Sequence, residues 1–124
     1  MPETRNVPFV DLGPVSAAVK ERVLDRITQT LAKGDFLNGE AVGEFERRFA
    51  EFVGQTHCVG VSSGLDALRL SLLASGLRAG DGVIVPAGTF AATFEAILQA
   101  GGTPIVVDVA EEDYNLDVGQ VDTA

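Results

Sequence analysis

The second half of the chain repeats a pattern that strongly limits its possible folds: a short apolar run passes through small residues into a helical pattern. Two such corners occur, at residues 59–70 (VGVSSGLDALRL) and 83–94 (VIVPAGTFAATF). Each corner would present free backbone N–H groups and a helix N-terminus, which suit an anion. Strands that alternate with helices in this way are typical of α/β proteins.

Periodicity and turn residues predict the order of the elements along the chain. The predicted strands are His57–Val61, Val83–Val85 and Ile105–Val109. The predicted helices are Val15–Ala32, Glu40–Val53, Leu65–Ala74 and Phe90–Ala100, with a further helix beginning near Asp117. The two later strands are continuously apolar, which suits strands covered on both faces of a parallel sheet. We therefore divide the chain into residues 1–54, an extended segment with two helices, and residues 55–124, three strand–helix units.

Size and charge narrow the classes of function. A chain of 124 residues is at most one domain. Its net charge of −9 argues against binding to nucleic acid or to an anionic membrane surface. It does not argue against a phosphorylated small molecule, because backbone amides hold phosphate without net positive charge. No apolar run approaches the length of a membrane span and the N-terminus has no signal-peptide pattern, so a cytoplasmic location is predicted.

The reactive residue types offer little chemistry by themselves. Cys58 is the only cysteine, so it forms no internal disulfide and is interpreted as a buried, inert thiol. His57 is the only histidine, is interpreted as structural, and belongs to no cluster with metal-ligand spacing. The two lysines, Lys20 and Lys33, fall on or just after the first helix and are predicted to be solvated, unlike a Schiff-base lysine.

Each corner has a structural and a functional interpretation. Ser63 is a good N-cap, and Gly64 lacks a Cβ where a ligand would approach the N–H groups of Gly64, Leu65 and Asp66. A plain capped helix explains the same residues, and Asp66 then only favours the helix dipole. At the second corner, Phe90 follows a strand and could stack on a planar cofactor, although periodicity favours its burial in the core. Neither a P-loop nor a GxGxxG motif is present.

The order of these pieces resembles the DegT/DnrJ/EryC1/StrS sugar aminotransferases, which are fold-type-I enzymes dependent on pyridoxal phosphate. The resemblance covers nearly the whole chain. The pieces that carry it are VPFVDL at 7–12, FLNG at 36–39 with Phe45 and Glu46, SGxxAL at 63–68, GDxVIVPAxTF at 80–90 and PIVVDV at 104–109. It implies an α/β fold, the N-terminal part of a large domain with a three-layer αβα architecture around a mostly parallel sheet, here incomplete.

The resemblance also implies roles for particular residues. The backbone of Gly64 and Leu65, with Ser63 close by, would hold the phosphate of pyridoxal 5′-phosphate. Phe90 would stack on its ring, and Thr89 would assist. The family commonly has a hydroxylated residue where this chain has Leu65, so that side-chain contact would be lost. The string GLDAL at 64–68 is similar to members that aminate C3 of keto-sugars, although others act at C4.

The intact enzyme would transfer an amino group, with glutamate as donor, to a nucleotide-linked keto-sugar, and would work as a homodimer. The resemblance puts the Schiff-base lysine beyond Ala124, so the chain alone is expected to be inactive. It also puts later strands between His57–Val61 and the other two, so the isolated chain is expected to fold poorly. Three alternatives stay open: a non-catalytic regulatory or binding protein of the same fold, another fold-type-I enzyme, and a small α/β domain without cofactor.

Overall fold

The structure is a computed structural model that describes residues 7–124. The six N-terminal residues, on which part of the signal-peptide prediction rests, lie outside the described residues. The chain divides into two compact units, the first ending at Gly60 and the second spanning Val61–Ala124. Seven elements follow in order: α1 Gly13–Lys33, α2 Glu40–Phe52, α3 Gly64–Ala74, β1 Gly82–Pro86, α4 Ala91–Gln99, β2 Thr103–Val107 and α5 Val118–Val121.

The first unit consists of two helices tied by ion pairs. Helix α1 ends at Gly34, whose φ of +69° is the left-handed conformation that glycine adopts without strain. An ion pair spans that turn: Lys33 at the end of α1 contacts Glu40 at the start of α2, with Nζ 2.6 Å from Oε2. The apolar faces of both helices are largely exposed, including Ile27 at 50% and Phe45 at 55%. Periodicity therefore identified an apolar face on each helix that the described chain does not bury.

The second unit is an α/β unit with a small core. Strands β1 and β2 pair in parallel, in a register that runs from Gly82 opposite Thr103 to Pro86 opposite Val107. Helix α4 connects them and packs against both strands and against α3. The buried side chains of this unit come from the two strands and α4, namely Val85, Ala96, Ile97, Ala100 and Val107.

The predicted strand His57–Val61 is wrong for this structure. Residues 57–61 are not in a strand, because a strand requires a neighbour for its backbone and β1 and β2 pair only with each other in the described sheet. One amide of the segment finds a different partner: Gly60 N donates to Glu46 Oε1 at 2.6 Å.

The third predicted strand ends earlier than expected. It stops at Val107 rather than Val109, because its pairing with β1 ends at Val107. There the Asp108 carboxylate accepts from Val109 N at 2.8 Å, and Asp108 N donates to the Gln120 side chain at 3.2 Å. Val109 instead forms an isolated antiparallel bridge with Leu116.

Residues 7–124 contain five helices, α1 to α5. None of them combines the length and the apolarity that crossing a bilayer demands.

Candidate functional site

The first corner has two free backbone donors. Ser63 is the extended N-cap of α3, and its Oγ accepts from Asp66 N at 3.1 Å. The N–H groups of Gly64 and Leu65 have no acceptor among the described residues, as expected for the first turn of a helix. The prediction that Asp66 N–H is also free is wrong, because the capping serine reaches the third helical residue. The corner therefore offers two donors, not three.

The Asp66 side chain organises this corner. Its carboxylate accepts from the Ser62 hydroxyl, from Ser63 Oγ at 3.3 Å and from the Arg69 guanidinium at 3.2 Å. The hydrogen bond from Ser62, followed by that from Arg69, holds the pKa of Asp66 below its usual value. Sequence reasoning treated Asp66 as a helix-start charge and missed Ser62 and Arg69. The available signals were the serine four residues before Asp66 and the arginine three residues after it.

The second corner exposes the aromatic ring. Phe90 is the N-cap of α4 and is 79% exposed, so the alternative that periodicity favoured, burial in the core, is wrong. The helix begins one residue later than predicted, and its buried side chains are Ala96 and Ile97. Thr89 lies beside Phe90, and its hydroxyl is 2.9 Å from that of Thr93. An exposed ring four residues beyond the end of parallel strand β1 is available to stack on a flat molecule.

There is little room for a side chain just before this ring. A Cβ at Gly88 would lie 3.1 Å from Val109 Cγ1, closer than a normal contact. The neighbouring Ala87 N donates to Val107 O at 2.8 Å, which extends the pairing of β1 with β2 by one residue. The turn that presents Thr89 and Phe90 is thus anchored to the sheet.

The two corners begin neighbouring helices of the same unit. Helices α3 and α4 pack against each other, and residues 63–65 and 89–90 stand at their N-terminal ends. The hydrogen bonds of residues 62–69 do not reach residues 87–93. The structure therefore brings the predicted residues onto adjacent elements, and each corner is built from its own local contacts.

The donor set fits a phosphorylated, planar molecule. Two unpartnered N–H groups at the start of an 11-residue helix suit a phosphate. A Cβ at Gly64 would meet no atom within 4 Å, so the position beside this residue is open. The Leu65 side chain has no hydroxyl to add, so binding at this corner would depend on the backbone.

Among the described residues outside the corners, Lys33 does not suit the role of a Schiff-base lysine. Lys33 is paired with Glu40, whose hydrogen bond and charge raise the pKa of the ammonium group. A Schiff-base lysine needs the opposite shift. His57 is exposed, and Cys58 is half-buried rather than buried as predicted. Within residues 7–124, no group of three His, Cys, Asp or Glu side chains is arranged to hold a metal ion.

The first unit contains a groove of about 1010 Å³ between α1 and α2. Its lining mixes apolar residues, such as Ile27 and Phe45, with charged residues, such as Arg26 and Glu44. The predicted site residues do not line this groove, so it is not the predicted cofactor site.

Comparison with known proteins identifies the family. The sequence profile of the DegT/DnrJ/EryC1/StrS aminotransferase family matches residues 17–124. The chain therefore belongs to this family, as the sequence motifs predicted. Its fold is α/β and corresponds to the N-terminal part of a fold-type-I transferase, as also predicted.

Two curated relatives and one solved structure illustrate the likeness. The chain is 37% identical, over 90% of its length, to the dTDP-3-amino-3,6-dideoxy-alpha-D-galactopyranose transaminase of Aneurinibacillus thermoaerophilus. It is 35% identical, over 98% of its length, to the 3-oxo-glucose-6-phosphate:glutamate aminotransferase of Bacillus subtilis. The crystal structure of NtdA from Bacillus subtilis, with bound PMP cofactor, superposes with a TM-score of 0.91 at 34% identity and 98% coverage of this chain.

These matches cover only part of the relatives. The chain spans 31% of the Aneurinibacillus transaminase, 28% of the Bacillus subtilis aminotransferase and 28% of the NtdA chain.

Proposed function

We propose that this chain is part of an aminotransferase that converts a nucleotide-linked keto-sugar into an amino-sugar, with pyridoxal 5′-phosphate as cofactor and glutamate as amino donor. Residues 55–124 would form the first three strand–helix units of its cofactor-binding domain, with residues 57–61 pairing as a strand only in the complete enzyme. The active enzyme would be a cytoplasmic homodimer. Family membership supports sugar transamination. The Aneurinibacillus relative is named for a dTDP-linked sugar and the Bacillus relative for glutamate, which supports the proposed substrate and amino donor.

The observation that carries the cofactor assignment is the pair of free N–H groups of Gly64 and Leu65 at the start of α3. Both point out of the first helical turn, where the helix dipole favours negative charge. We assign the cofactor phosphate to these two donors, with Ser63 shaping the turn. The departure at Leu65 makes this contact depend on the backbone, so substitution of the Leu65 side chain by alanine should affect phosphate binding little.

Phe90 and Thr89 are assigned to the cofactor ring. Phe90 is exposed at the end of a parallel strand, where open α/β sheets bind ligands, and nothing in the described chain covers it. Its face would stack on the pyridine ring and fix the plane of the cofactor, with the Thr89 hydroxyl alongside. Together with the phosphate contacts, this stacking would orient the cofactor's reactive carbon.

The bound cofactor would supply the electron sink that transamination requires. The residues of this chain assigned above would bind and orient it, and none of them is assigned the proton transfer. We therefore propose that the lysine that moves the proton belongs to a part of the protein beyond Ala124, and that residues 1–124 alone are inactive.

The proposal can be tested on the complete gene product. The purified protein should bind pyridoxal phosphate with a visible absorbance band, and glutamate should convert that band to the one of the amino form. Adding dTDP- or UDP-linked 3-keto-sugars should restore the first band and produce an amino-sugar detectable by mass spectrometry. Phe90→Ala should weaken cofactor binding about tenfold, the upper end of an aromatic stacking contribution.

Two results would contradict the proposal. Failure to bind pyridoxal phosphate would exclude an enzyme of this type. Cofactor binding without conversion by glutamate or any other amino acid would favour the alternative, a regulatory or binding protein that keeps the fold. Leu98→Ala is the matched control for Phe90→Ala, because Leu98 is also exposed on α4, at 59%, but lies two turns from the corner.

A further inference from the structure

The cluster at the start of α3 is more elaborate than helix capping requires. A capping serine needs only one hydrogen bond, from Ser63 Oγ to Asp66 N. Here the Asp66 carboxylate adds three contacts, with the hydroxyls of Ser62 and Ser63 and with the Arg69 guanidinium. These contacts join the residue before the cap, the cap itself and the second helical turn around one carboxylate.

We propose that Asp66 is a positioning residue for the cofactor phosphate, an inference that rests on the proposed function. By holding Ser62 and Ser63 against the first turn of α3, its carboxylate fixes residues 62–65 in the shape that leaves the N–H groups of Gly64 and Leu65 free. The phosphate then meets a turn that is already ordered, which reduces the entropy cost of binding.

The hydroxyl of Ser63 makes both of its hydrogen bonds to Asp66. Its oxygen accepts from Asp66 N, and its single hydrogen is directed to Asp66 Oδ2 at 3.3 Å. A serine hydroxyl has one donor hydrogen, so none is left for the phosphate. Ser63 therefore acts through the shape of the turn, and the direct contacts belong to Gly64 and Leu65.

The negative charge of Asp66 is compatible with a phosphate bound nearby. A lone carboxylate beside a phosphate would repel it, but Arg69 lies 3.2 Å from Asp66 Oδ1 and forms a neutral pair with it. Both side chains are about two-thirds shielded from solvent, at 29% and 31% exposure, so their mutual attraction is screened less than that of a surface pair. A test of positioning must therefore remove both charges together, so that the net charge near the phosphate stays the same.

The test compares the dissociation constants of pyridoxal phosphate and pyridoxal for the complete gene product, measured by absorbance and fluorescence titration. The dissociation constant of pyridoxal divided by that of pyridoxal phosphate isolates the contribution of the phosphate. The variant Asp66→Ala/Arg69→Ala should reduce this ratio about tenfold, which corresponds to the net worth of a hydrogen bond to a charged group. The control Arg47→Ala/Glu51→Ala removes another intrahelical pair, whose atoms are 3.6 Å apart on α2, and should leave the ratio unchanged.

A second variant tests whether Asp66 acts through Ser62. Ser62 is exposed and precedes the helix, so Ser62→Ala should leave the fold intact. It should lower the ratio about threefold in the wild-type background and not at all in the Asp66→Ala/Arg69→Ala background, since coupled residues are non-additive. Ser75→Ala is its control, because that hydroxyl contacts the Ser71 carbonyl at the other end of α3.

Each outcome decides the inference. An unchanged ratio in Asp66→Ala/Arg69→Ala overturns it, as does an equal loss of affinity for both ligands. If that variant shows no cooperative melting, Ser62→Ala decides alone, and an unchanged ratio again overturns it. A wild-type protein that binds pyridoxal as tightly as pyridoxal phosphate refutes the proposed phosphate site itself, which is a different failure.

Discussion

At the scale of single residues, the informative feature is how few groups remain unpaired at the start of α3. Capping by Ser63 occupies Asp66 N–H and leaves Gly64 and Leu65 as the free donors. The serine and the glycine were identifiable from the sequence, because both residue types have strong positional preferences at helix starts. The grouping of Ser62 and Arg69 around Asp66 was not, because it depends on side-chain directions that spacing alone does not define.

The lowered pKa of Asp66 predicts a pH dependence of stability. Its pKa in the folded protein lies below the usual aspartate value of 3.8, mainly because of the hydrogen bond from Ser62. The ionised group therefore stabilises the fold above pH 3.8, and this contribution is lost as the pH falls through the lower, folded value. Urea unfolding from neutral to strongly acidic pH should show wild type exceeding Asp66→Asn at neutral pH, with the difference shrinking in acid.

Ser62→Ala provides the comparison for that experiment. Since the Ser62 hydroxyl is the first cause of the lowered pKa, its removal should make the stability difference between the aspartate and asparagine forms smaller and less dependent on pH. A difference that grows as the pH falls would contradict the assignment of the ionised form to the folded state.

At the scale of elements, the sequence located most helices and strands to within two residues. Helix α1 was predicted at Val15–Ala32 and occurs at Gly13–Lys33, and α3 was predicted at Leu65–Ala74 and occurs at Gly64–Ala74. These elements are marked by local signals: proline near the start of α1, serine before α3, and glycine after their ends. Such signals act over a few residues, so a sequence without its tertiary structure still displays them.

Packing between elements leaves little room for a side chain at Gly102. This buried residue precedes β2, and a Cβ there would lie 3.1 Å from Leu77 Cδ2 and 3.2 Å from Ile97 Cγ2. We expect Gly102→Ala to lower the free energy of unfolding by about 1–3 kcal/mol, the usual cost of overpacking a core. Urea unfolding followed by far-UV circular dichroism measures the change.

Gly43 is the matched control for that substitution. It lies inside α2, and a Cβ there would meet no atom within 4 Å. Gly43→Ala should raise the free energy of unfolding by about 0.5–1 kcal/mol, because alanine loses less conformational entropy in a helix. Equal effects of the two substitutions would show that the space around Gly102 is not limiting.

At the scale of the whole molecule, strand pairing and burial depart from the sequence predictions. Residues 57–61 carry a strand-like apolar pattern, yet they are not in a strand, and Val59 is 76% exposed. Ile84 and Val106, within the paired strands, are 37% and 54% exposed although both strands were predicted to be covered on both faces. The sheet of the described chain therefore has apolar surface that its own elements do not bury.

Amide hydrogen exchange of the 124-residue chain should distinguish the paired strands β1 and β2 from residues 57–61. Amides of β1 and β2 that pair with each other should exchange slowly, whereas Val59 and Val61 should exchange rapidly because they have no strand partner. Gly60 should be protected relative to both neighbours, since its N–H donates to Glu46. Slow exchange at Val59 and Val61 would indicate that the segment pairs after all.

The sequence of this protein by itself determined its local features. The corner residues, the helix starts and the family motifs depend on side chains a few positions apart, and so does the chain's assignment to the DegT/DnrJ/EryC1/StrS aminotransferases. Only the tertiary structure decided three other features. These are the exposure of Phe90, the absence of a strand at residues 57–61, and the contacts of Ser62, Ser63 and Arg69 with Asp66. The physical reason is that burial and strand pairing depend on which distant segments meet, whereas a cap or a turn is complete within one helical turn.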